Sequence, residues 1–227
     1  DHTYENDTRY KDPNNKVLAT LVFADSNFKK ERLRTAMTQT MVFGKHGEAY
    51  IMYDNLKDRE MQWFVFNYAD KANYMVDPKQ HTAMKMPLMN FNKMMERQAA
   101  QEQEREGYGG KTTVKETNDY ATFAGYKARK YIITLSDGRR MDAWVSKGIK
   151  VNLKDDYMLG ARLNQYRFPE NTGYKNMEDG IVVRMVMYDK DNETIMTTRT
   201  MMSYTADADE KYFDLTGYKI NDVLNGL

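Results

Sequence analysis

Apolar and polar positions alternate with a period of two along most of this chain, and short polar turns punctuate the alternation. In residues 131–135, Tyr131, Ile133 and Leu135 share one face. After Ser136-Asp137-Gly138, Met141, Ala143 and Val145 do the same. A period of two sends successive side chains to opposite faces of a strand. Asp-Gly between two such runs marks a hairpin, because both residues tolerate positive φ. Comparable runs occupy 37–43, ending at Gly44, then 48–53, 62–68, 73–76 beyond Asp70-Lys71, and 81–86 beyond Asp77-Pro78-Lys79. Two more, 181–188 and 194–204, are joined by Asp189-Lys190-Asp191-Asn192. Short strands between tight polar turns predict an antiparallel meander. Residues 16–24 are apolar but too short a run to separate helix from strand.

The pattern breaks at 90–107, which has no β-branched residue and is rich in Met, Gln, Glu, Arg and Ala, all strong helix formers. Phe91, Met94, Met95 and Gln98 are spaced for one helical face, with Asn90 as N-cap and Gly107 as stop. Its second half is nearly all polar, so its first two turns carry the apolar anchor. Residues 154–174 read as a helix or a long loop. Residues 1–15 are polar and read as a flexible N-terminal arm. No repeat and no dividing linker interrupts 16–227, which is expected to be a single domain. The fold class is α+β, mainly β, with one or two helices laid across the sheet.

Composition narrows the function. With 34 Lys+Arg against 33 Asp+Glu, the chain lacks the basic excess of a nucleic-acid binder. No apolar run approaches the roughly 20 residues needed to span a bilayer as a helix. The absence of cysteine removes disulfides, thiolate metal sites and cysteine nucleophiles. The opening Asp1-His2-Thr3-Tyr4 fits a mature chain freed of its export signal, and leaves room for a lipid-anchoring residue upstream of Asp1. An extracytoplasmic protein is expected.

The run Phe123-Ala124-Gly125-Tyr126-Lys127-Ala128-Arg129-Lys130-Tyr131, followed by Asp137-Gly138 and Ala143-Trp144-Val145-Ser146, resembles the core motif of a family of unknown function among exported Gram-negative envelope proteins. The tail Tyr212-Phe213-Asp214-Leu215-Thr216-Gly217-Tyr218-Lys219 resembles the closing strand of that family, and Met86-Pro87-Leu88 fits its middle segment. The resemblance covers about 35–219. It implies a lipoprotein-carrier (LolA/LolB-like) architecture: a curved antiparallel sheet, an unclosed half-barrel, with helices across the concave face. It implies a place in the periplasm or at the outer-membrane surface, and it brings no catalytic residues with it.

The side chains themselves point away from catalysis. His2, His46 and His81 are isolated, and no nucleophile elbow accompanies them. Asp155-Asp156 and Asp207/Asp209 lie in polar segments. Gly109-Gly110-Lys111 lacks the remainder of a P-loop, and the loop from Asp189 lacks the central glycine and distal Glu of a calcium site. No catalytic residue, metal site or cofactor is expected.

The methionines, 18 of them, cluster instead. Met84-x-Met86-x-x-Met89 has a spacing open to copper(I), since thioethers are soft ligands. The same residues also suit ordinary core filling, or an adaptable apolar groove. Trp63, Phe64, Phe66, Met84, Met86, Met89, Phe91, Met94 and Met95 are the candidate lining of such a groove, with Trp63 or its neighbours on one wall according to register. Two functions follow. One is binding of a lipid-like or lipoprotein-like ligand. The other is an accessory subunit of an outer-membrane complex, its exposed faces holding a protein partner and its concavity filled by its own side chains.

Overall fold

A computed structural model describes residues 18–45, 47–67, 70–87, 113–135, 137–149, 180–191 and 193–222. The helix expected over 90–107, the helix or loop over 154–174 and the N-terminal arm fall outside these residues. The described chain is mostly strand, as the alternation predicts. Its elements are β1 (Ala19–Lys29), β2 (Arg32–Phe43), β3 (Gly47–Asp54), β4 (Arg59–Glu60), β5 (Trp63–Asn67), β6 (Ala72–Asp77) and β7 (Thr82–Pro87). They continue as β8 (Thr113–Phe123), β9 (Tyr126–Thr134), β10 (Arg140–Ser146), β11 (Ile181–Tyr188), β12 (Ile195–Thr205) and β13 (Lys219–Asp222). These strands make an unclosed sheet whose end strands are β8 and β13. The pairings from β3 through β5 and β6 to β7, of β4 with β3, and from β8 through β9, β10 and β11 to β12 are antiparallel, and that of β13 with β7 is parallel.

The chain divides into two compact units. In the first, β13, β7, β6, β5 and β3 are neighbours in that order, with β4 beside β3. Gly47 opens β3 because a Cβ there would lie 2.0 Å from the Phe66 carbonyl oxygen, a space only glycine leaves empty. The turn from Asp77 is an Asx turn: the Asp77 carboxylate accepts hydrogen bonds from the N–H of Lys79 and of Gln80. In the second unit, β12, β11, β10, β9 and β8 follow one another. β9 and β10 form the hairpin read from the sequence, in the register Met141 opposite Ile133 and Ala143 opposite Tyr131. Its turn differs in one respect. Gly138 lies at φ 88° and Asp137 does not share that region, while Gly138 N–H bonds to the Leu135 carbonyl and Leu135 N–H to that of Arg139. The loop is therefore of the longer, glycine-bulged kind, not a two-residue one.

Three elements depart from the sequence reading. β8 was not anticipated, and β13 and β4 are equally short of local signal. The tail expected as a closing strand over 212–219 instead begins with a 3-10 turn, Glu210–Phe213, and becomes a strand only at Lys219.

Candidate functional site

In the first unit the register of β3, β5, β6 and β7 sorts the aromatic and methionine side chains between two faces. Trp63 and Val65 join Val42, Ala49, Ile51, Tyr74, Val76 and Ala83 in one buried cluster. The C-terminal segment covers that face, packing Tyr212, Phe213, Leu215 and Tyr218 on it. The Trp63 ring meets Tyr212 edge-on, 5.7 Å between centroids, and Tyr218 at 6.2 Å. Tyr74 donates its hydroxyl proton to Asp70 at 2.8 Å, and burial, then that bond, raises its pKa above the ordinary phenol range.

Alternation sends the intervening residues to the opposite face. Tyr50 stands across from Phe64, Phe64 from Met75, and Met75 from Met84. In the next row Glu48 stands across from Phe66, Phe66 from Asn73, and Asn73 from Met86. Cross-strand partners share a face and touch, so one apolar row and one that alternates polar with apolar side chains run over four strands. Burial is graded along them. Tyr50, Phe66, Asn73 and Glu48 are buried, whereas Phe64, Met75 and Met86 are half-buried and Met84 is 39% exposed. Tyr50 packs edge-on against Phe66 and donates its hydroxyl proton to Glu48 at 2.9 Å.

Of the sequence candidates, Phe64, Phe66, Met84 and Met86 thus come together, and Trp63 lies on the other face under the chain's own tail. Met89, Phe91, Met94 and Met95 fall outside the described residues. Tyr50, Asn73 and Met75 share the face but were missed. The alternation of 73–76 placed Asn73 and Met75 together, yet an Asn between apolar neighbours reads as solvent-facing.

In the second unit Tyr131, Ile133, Leu135, Met141, Ala143 and Val145 form the buried face, with Met185 and Met187 packed against it. The reverse face carries Trp144 between Lys130 and Arg184 in register. Lys130 Nζ lies 5.2 Å above the Trp144 ring, and the Arg184 guanidinium 5.7 Å from both Trp144 and Phe123. Asp142, 1% exposed beside them, accepts from Arg140 at 2.6 and 2.7 Å and from Lys130 at 2.8 Å. Two cations on one buried carboxylate make a closed structural network. The Asp142 hydrogen bond is what raises the Arg140 pKa. His81 sits in a turn, its ring 5.5 Å from that of Tyr218. The Asp191 carboxylate bonds the N–H groups of Glu193 and Thr194 and the Thr194 hydroxyl, which ties down a hairpin turn.

A family model, a domain of unknown function designated DUF4412, matches residues 27–215. The chain belongs to that family. The match spans the motif around 123–146 and the first half of the tail on which the resemblance rested. No curated protein matches the sequence. Solved structures similar to this one include MucB, at TM-score 0.44 and 6% identity over 93% of this chain and 62% of that one. Others are the Pseudomonas aeruginosa MucA/MucB complex, at TM-score 0.44 and 7% identity over 95% and 62%, and the LolA superfamily protein NE2245 of Nitrosomonas europaea. The last gives TM-score 0.35 and 8% identity over 88% of this chain and 91% of that one. This chain thus spans about three fifths of the MucB chain, 62%. Likenesses of this size carry no functional inference. No helix among the described residues is long and apolar enough to cross a membrane.

Proposed function

We propose that this protein is a non-enzymatic, extracytoplasmic component of the Gram-negative cell envelope that binds a hydrophobic, lipid- or lipoprotein-like ligand. The face formed by Phe64, Phe66, Met75, Met84 and Met86 is the binding surface. One observation supports this above the rest. The register separates these side chains from the Trp63 face, which the tail fills, and leaves the methionine end of their own face open to solvent at Met84. Thioether side chains rearrange at little cost around acyl chains of varied shape. The test is native purification followed by lipid mass spectrometry, on wild type and on the Met84→Glu, Met86→Glu double variant. Lipid should accompany the wild type and be lost from a variant whose circular dichroism is unchanged. A wild type free of lipid sinks the reading.

The alternative, an accessory subunit of an outer-membrane complex, draws on the Trp63 face, which the chain fills with its own Tyr212, Leu215 and Tyr218. A stoichiometric protein partner without lipid in the same purification would favour it.

A further inference from the structure

We infer that Asn73 is the polar recognition residue of this face, and that the group it reads is the N–H and C=O of an amino-acid residue that carries an acyl chain on its nitrogen. This rests on the ligand-binding reading above and narrows it. Asn73 is 0% exposed, and neither its Nδ2 nor its Oδ1 has a hydrogen-bond partner. Buried carboxamides are almost always paired, since an unpaired one gives up its bonds to water for nothing. A leucine would fill the same volume without that penalty. The position makes sense where a bound group completes the pairing.

The neighbours say what kind of group. Asn73 stands in β6 between Phe66 of β5 and Met86 of β7, beside the row Phe64, Met75 and Met84 that runs out to solvent. A hydrocarbon chain lying along that row would bring its polar end to the carboxamide. That carboxamide offers a donor and an acceptor side by side. The N–H and C=O of one extended residue point to the same side and match it in both senses. An ester lacks the N–H, so Oδ1 would stay unpaired. A free fatty carboxylate lacks it too, and would be buried as a charge with Glu48 in the same row, two strand spacings or about 10 Å away. The pattern selects an acylated amino acid or peptide end over an ester or a fatty acid.

The experiment uses the full chain and two probes that differ by one atom: N-myristoylglycine methylamide, and the ester analogue with oxygen in place of the glycine N–H. Titration calorimetry should show wild type binding the amide about tenfold or more tightly than the ester, because a site built for an N–H rejects the analogue lacking it. In 15N-labelled wild type, the Asn73 side-chain NH2 resonances should move on adding the amide. Asn73→Leu should bind both probes equally and melt no lower than wild type. Equal wild-type affinities with unmoved Asn73 resonances overturn this inference alone, leaving a water as the partner and the ligand-binding reading in place. A preference that persists in Asn73→Leu also overturns it. Wild type binding neither probe overturns both readings.

Discussion

Replacing Trp63 by alanine tests the division of the first unit into two faces. Trp63 is 9% exposed and packed against the tail through Tyr212 and Tyr218. Truncating a buried tryptophan to alanine costs about 3–5 kcal/mol. Trp63 also buries an indole N–H that has no partner, and its removal returns about 1 kcal/mol of that. The expected loss is therefore about 3 kcal/mol. Trp63→Phe keeps an aromatic ring and discards the unpaired N–H, so it should fall within about 1 kcal/mol of wild type. A double-mutant cycle with Tyr212→Ala should give a coupling of about 0.5–1.5 kcal/mol for the edge-on pair. Urea unfolding by far-ultraviolet circular dichroism supplies the free energies. With Trp63 gone, Trp144 is the sole tryptophan, so its fluorescence reports the second unit separately. A loss below about 1 kcal/mol, or strict additivity with Tyr212→Ala, would refute the packing of the tail on this face.

Other consequences are as direct. Gly138 lies at φ 88° with open space where a Cβ would go, so Gly138→Val should cost about 1 kcal/mol or more from backbone strain alone; an unchanged melting temperature would put the strain elsewhere. Lys30 and Glu31, between β1 and β2, lie at φ 49° and 63°, so Lys30→Asn with Glu31→Gly should stabilise by about 1 kcal/mol in the same urea assay. Burial alone would raise the Asp137 pKa, but hydrogen bonds from the Arg139 backbone and side chain, with the Arg139 charge, outweigh it and hold it below the ordinary carboxylate value. The Asp191 pKa is lowered first by the Thr194 hydroxyl, then by the N–H groups of Glu193 and Thr194. Folded-state values below the unfolded one, about 3.9, mean stability that is present above that pH and lost as pH falls through the depressed values. Asp137→Asn with Asp191→Asn should flatten the acid limb of stability below about pH 4; an unaltered slope would show that these turns do not carry it.

Much of the fold was legible because a half-buried strand writes its pleat into the sequence. β11 falls where alternation put it, and β5, β6 and β7 within a residue or so of their predicted ends. β8 stayed hidden for a physical reason. It is an end strand of mostly polar residues, and a break in register between Glu116 and Tyr120 interrupts its alternation. β13 gave no local signal because its partner, β7, lies more than a hundred residues earlier. At the candidate site the sequence placed Trp63 opposite Phe64 and Phe66. It could not say which face the tail covers, since that depends on contacts between residues 63 and 212–218. Asn73 escaped notice because a polar residue in a strand ordinarily points to water, and only the register shows it enclosed.

The contribution of the tail to the first unit also has a consequence for how the molecule is made. That unit draws on residues 1–22, 38–91 and 203–227, and Thr20 bonds the carbonyl of Asp207 across 187 positions of sequence. A chain emerging from a ribosome or a translocase amino end first must therefore hold β3, β5, β6 and β7 without their cover until residues 212–218 arrive. Contacts of such separation form slowly, because loop closure precedes any gain from the pairing. For that interval the Trp63 face is sticky, and escorting chaperones would find it there. The same arrangement makes that face depend on a distant stretch of sequence: a chain that lacks residues 212–218 leaves Trp63 and its neighbours uncovered.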